Sequence, residues 1–167
     1  MDLEDMLGGG DLRSIGESNK VADQISTQDE FDSLFKFLHD KERLTVMRAA
    51  DAVEKITLKH PEYLARHKDA VVNFCLSETN IEFKWHLALL MPRLPLAADE
   101  QHVVFGILKN WALNPKESKI VRANALQSLH ELSTQNDMLK IDFSATAAAV
   151  AEENIPSLNA RIRKLKP

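Results

Sequence analysis

Cysteine is nearly absent: Cys75 stands alone in 167 residues, which excludes an intramolecular disulfide framework and any cysteine-rich zinc module. Glycine is scarce as well, and four of its five residues (Gly8, Gly9, Gly10, Gly16) fall in the first 16 positions, leaving only Gly106 beyond them. No apolar run approaches the ~18 residues that span a bilayer. No stretch alternates apolar and polar residues with the period of two that marks a strand. Neither sign of charge dominates, with 21 Lys+Arg against 25 Asp+Glu, so the basic excess usual in nucleic-acid coats is missing. The first residues, Met1-Asp2-Leu3-Glu4-Asp5, are acidic where a secretory signal is basic. These absences together predict a soluble, reduced, cytoplasmic chain with no membrane segment.

What is present is enough apolar material, 44% of residues, for a core in one domain or one short repeat array. Charge is unevenly placed: residues 1–30 carry eight acids and two bases, so residues 1–17 are expected to be a mobile acidic tail. Helical periodicity fills the remainder. Phe31, Leu34, Phe35 and Leu38 mark one stripe, and Ala49, Ala52, Val53 and Ile56 a second, stopped by Pro61. Val103, Val104, Ile107, Leu108 and Trp111 form a third, stopped by Pro115, and Ala125, Leu126, Leu129 and Leu132 a fourth. A weaker, alanine-rich stripe runs from Asp137 to Glu153. The chain is predicted to be all-α.

The segment starting at Thr45 repeats, ungapped, after 38 residues at Phe83 and after another 38 at Val121. Positions 49/87/125, 52/90/128, 53/91/129 and 56/94/132 are apolar or small in all three copies. Self-similarity of this kind signals a stacked repeat. About three helical hairpins are expected, near residues 41–77, 79–113 and 116–153. Their second helices should lie near 67–77, 98–113 and 138–153, with a helix pair near 18–38 capping one end. A C-terminal cap is placed at 155–166, and residues 18–167 are expected to form a single domain.

Val121-Arg122, Ala125, Ser128-Leu129 and Leu132 resemble the first helix of a HEAT repeat. Val46 and Lys84 stand in the other copies where the arginine is usual. Arg48-Ala49-Ala50-Asp51-Ala52, His60-Pro61-Glu62, Trp85-His86-Leu87-Ala88, Met91-Pro92-Arg93-Leu94 and the basic end Ala160-Arg161-Ile162-Arg163-Lys164-Leu165 are similar to small bacterial HEAT-repeat proteins. The resemblance implies a short right-handed α-α superhelix, an ARM/HEAT-like solenoid, and says almost nothing about chemistry.

Arg48, Asp51, Lys55 and Lys59 fall on one strip of about 80° beside the apolar face of their helix. This is either an aspartate held in a basic groove or a solvated ladder of ion pairs. Arg48, His86 and Asn124 occupy equivalent repeat positions, as a polar ladder for an anionic or peptide ligand or as wet surface. The six histidines show no metal-binding spacing. Gly8-Gly9-Gly10 lacks the Lys-Ser/Thr of a phosphate cradle, so no metal or cofactor is expected. Cys75, between Phe74 and Leu76, reads as a core thiol. Arg161, Arg163, Lys164 and Lys166 could meet phosphates or the acidic tail, or complement a helix dipole.

The favoured expectation is a non-enzymatic protein-interaction scaffold. Its candidate surface comprises Arg48, Asp51, Lys55, Lys59, His86, Arg93, Asn124, Lys109 and Asn110, with Asn73, Gln101 and Lys140 as further polar positions on the second helices. On that view Arg48→Glu or Arg93→Glu leaves thermal stability nearly unchanged and weakens partner capture. The alternative is a nucleic-acid enzyme resembling HEAT-like DNA glycosylases, for which Asp51, Trp85, Arg48 and Lys55 supply the residue types. A third expectation, a subunit of a larger assembly, is favoured by exposed apolar side chains among Phe31, Phe35, Met91 and Leu94.

Overall fold

A computed structural model describes residues 3–8 and 18–166. Among these residues the structure is all-α, with ten α-helices, four short 3₁₀ turns and no strand. No described helix is long and apolar enough to cross a membrane. The chain divides into two compact units, Met1–His67 and Lys68–Pro167, with the boundary inside the first expected repeat.

In the first unit, α1 (Leu3–Leu7), α2 (Ser18–Gln24) and α3 (Gln28–Phe35) all pack against the long α4 (Arg43–Lys59). Turns Lys36–His39 and Pro61–His67 flank α4. A capping box fixes the start of α3: the Thr27 hydroxyl accepts from the Glu30 N–H, and the Glu30 carboxylate accepts from the Thr27 N–H. Asp32 ties α3 to the last turn, accepting from Arg66 at 2.9 Å and lying 2.7 Å from His67 Nε2. Burial alone would raise its pKa, but the hydrogen bonds from Gln28, His67 and Arg66 together hold it below the ordinary value. His67 stacks on Phe35 at 3.9 Å between ring centroids.

Part of the stretch expected to be a mobile tail is packed. Residues 3–7 are helical, Leu7 is fully buried, and α1 touches α2 and α4. An apolar residue at 7 gives this acidic segment something to bury, which its net charge hides. Residues 9–17, the rest of the expected tail beyond Gly8, lie outside the described residues, as do residues 1 and 2.

The second unit contains α5 (Lys68–Ser77), α6 (Ile81–Leu90), α7 (Ala98–Leu113), α8 (Lys119–Gln135), α9 (Lys140–Glu152) and α10 (Pro156–Leu165). α6 packs on α8 and α8 on α10, while α5 packs on α7 and α7 on α9. Asn80 and Ser118 cap α6 and α8 through their side-chain oxygens. Pro156 opens α10 two residues after Asn154, whose φ of 55° turns the chain out of α9.

Arg122 and Lys84, which stand 38 residues apart, have structural tasks. Arg122, 1% exposed, donates from Nη1 and Nη2 to the two Glu153 oxygens at 2.8 and 2.5 Å and from Nε to the Ala112 carbonyl at 2.8 Å. Its repeat equivalent Lys84 pairs with Glu117 and sits 4.7 Å from the Trp111 ring centre. In both cases a cation in the first turn of one helix grips a carboxylate just beyond the end of the next helix in the chain. Arg122 holds the Glu153 carboxyl below its ordinary pKa.

Candidate functional site

The candidate residues separate into buried, paired and exposed groups. Arg48 is only 2% exposed, and its Nη1 donates to the carbonyls of Leu7 (3.1 Å) and Gly8 (2.6 Å) at the end of α1. It is therefore not a ligand-facing side chain, because a guanidinium satisfies the unpaired carbonyls of a helix end. Asn124 is likewise buried, donating to the Trp85 carbonyl at 3.0 Å, and His86 is buried. The expected polar ladder is thus neither a free ligand site nor wet surface.

Asp51 accepts from the Ser18 hydroxyl and, at 2.5 Å, from Lys55, which also donates to Asn19 Oδ1 at 2.6 Å. α2 has covered this part of the strip. Lys59 stays exposed and, with Lys55, lines an open groove of about 730 Å³ between α2 and the end of α4. Arg93 is half-buried in a 3₁₀ turn, Lys109 lies 3.4 Å from Asp142, and Asn110 is exposed on α7. Of the glycosylase-type set, Arg48 and Asp51 are engaged as described, while Trp85 belongs to the second unit.

Phe31, Phe35, Met91 and Leu94 are all buried, so the exposed apolar edge expected of an assembly subunit is not formed by them. Cys75 is buried too, and burial drives its thiol far above the ordinary value despite the opposing charge of Lys84. It stays protonated at neutral pH.

A cleft of about 340 Å³ with a partly apolar lining lies between α5 and α7. Val72 and Asn73 line it from α5, Val103 and Val104 from α7, and Leu96 from the connection before α7. Lys68 and Glu100 form its rim as an ion pair of 2.5 Å. Glu100 also accepts from the Ala97 N–H at 2.7 Å, so one carboxylate both satisfies the start of α7 and links the two helices. The pairing raises the pKa of Lys68 and lowers that of Glu100.

Val103 is 59% exposed, although the apolar stripe of its helix suggests a core position. That stripe pairs residues 103/104 and 107/108, wider than a single face. Val104, Leu108 and Trp111 fill the interior and leave Val103 outside. The width of the stripe was the available signal. Asn73 lines the same cleft, as a polar position on a second helix. Compared with known proteins, the chain matches no family model, no curated protein and no solved structure.

Proposed function

We propose that this chain is a non-enzymatic, cytoplasmic protein-interaction module that binds a peptide segment of a partner protein in the α5–α7 cleft. On this reading its hairpins are HEAT-type repeats of a short right-handed superhelix. Two features of the second unit support the repeat reading: alternate helices pack on one another, α6 on α8 on α10 and α5 on α7 on α9, and the Lys84–Glu117 and Arg122–Glu153 clasps match. The observation that carries the functional reading is Val103, a large apolar side chain left 59% exposed in a cleft whose rim carries the Lys68–Glu100 ion pair. Such a site offers an apolar anchor with a polar border, the usual anatomy of a peptide groove.

The test is selection of a phage-displayed peptide library on the wild-type chain, followed by binding of the enriched peptides to Val103→Asp. The substitution sits at an exposed position, so melting should change little. Enriched peptides are expected to lose at least tenfold in affinity. Equal binding to the two chains, or no enrichment at all, would reject the cleft as the binding site.

A further inference from the structure

A second groove, of about 510 Å³, runs between the start of α8 and the length of α10. Lys119, Arg161 and Lys164 line it around Ile120, with Ala123 and Ala160 as small residues between the helices. No carboxylate lines the groove. The nearby acids Glu117 and Glu153 are committed to Lys84 and Arg122. Lys119 and Lys164 have no ion-pair partner among the described residues, and Arg161 donates to the neutral Gln127 amide oxygen at 3.2 Å.

Two of these placements work against the folded chain. Lys119 is the first residue of α8, where the positive end of the helix dipole disfavours a cation. Ile120 beside it is 45% exposed. An unpaired cation cluster around an uncovered aliphatic side chain suits a ligand that brings both carboxylates and an apolar group. We infer that the α8–α10 groove is a docking surface for a short acidic segment of a partner protein that carries a central aliphatic side chain.

The dimensions agree: residues 157–164 of α10 extend over roughly 10 Å, the length of about three extended residues. A nucleic acid is the poorer match. The lining offers no aromatic ring on which a base could stack, and a phosphate backbone would leave Ile120 uncovered.

The probe is a fluorescein-labelled pentapeptide with a central leucine between two acidic residues on each side, followed by anisotropy with the full chain. Saturable binding that weakens from 50 to 300 mM salt is expected. Lys119→Glu/Lys164→Glu should lower affinity at least tenfold, and Ile120→Ser severalfold at constant salt dependence. Should the double reversal fail to fold, Lys119→Gln/Lys164→Gln takes its place with the same expected direction. Binding by the variants equal to wild type, or no binding at millimolar peptide, would overturn the inference. Tighter, lysine-dependent binding of a ten-nucleotide single strand would overturn it in favour of a nucleic-acid surface. The Val103→Asp chain should bind the pentapeptide normally, which separates this groove from the α5–α7 reading.

Discussion

Replacing Glu153 by glutamine tests the Arg122–Glu153 clasp directly. Glu153→Gln keeps the shape and one acceptor oxygen but removes the charge facing Arg122, which stays buried with its Ala112 contact. Breaking a fully buried ion pair costs about 3–5 kcal/mol. The Glu153 side chain is 31% exposed, so water recovers part of that, and about 2 kcal/mol is the expected loss. For a chain of this size that corresponds to a drop in Tm of roughly 4–8 °C. Differential scanning calorimetry and urea titration at pH 7 should agree on it, with the urea slope unchanged. The acid response provides a second readout. Because Arg122 lowers the folded-state pKa of Glu153, the stabilisation is complete above the ordinary carboxyl value of 4.5 and disappears as pH falls through the folded value. The gap between wild type and variant should therefore be widest at neutral pH and close towards the acid end. A loss below about 0.5 kcal/mol, the range of ordinary surface substitutions, or a gap that does not narrow in acid, would refute the clasp.

Two further substitutions probe the N-terminal packing and the exposed face of α7. Arg48→Glu places a carboxylate against the Leu7 and Gly8 carbonyls, and should destabilise the chain by about 2–4 kcal/mol. A melting temperature within a degree of wild type would mean that Arg48 is surface. Gly106→Ala should stabilise by about 0.5–1 kcal/mol, because glycine is costly inside a helix. A Cβ there meets nothing within 4 Å, so a lower Tm would contradict the packing around α7.

Helix positions were legible because they depend on local periodicity and punctuation. The second helices expected near 67–77, 98–113 and 138–153 appear as Lys68–Ser77, Ala98–Leu113 and Lys140–Glu152. Proline stops and the capping residues Asn80 and Ser118 act within a turn of the chain, so a window of sequence contains their cause. Site residues were less legible, since exposure depends on what other segments cover. Nothing near Arg48 in sequence indicates that Leu7 and Gly8, some forty residues earlier, bring carbonyls to its guanidinium. Val103 misled in the opposite direction, because its immediate neighbour Val104 takes the interior place.

The register of polar residues at the head of the first helices explains why a wheel drawn from one helix was insufficient. Positions two apart on an α-helix point about 200° apart. In α8, Arg122 reaches Glu153 just beyond α9, while Asn124 bonds the Trp85 carbonyl of α6. Ser128, one turn further on, likewise donates to the Ala88 carbonyl of α6 at 2.7 Å. A helix with protein on both flanks spends its polar residues on neighbours, and a wheel labels those same residues as solvated. Only positions beyond both contacts remain for a ligand. On α8 such positions include the first turn, where Lys119 and Ile120 face the α10 groove.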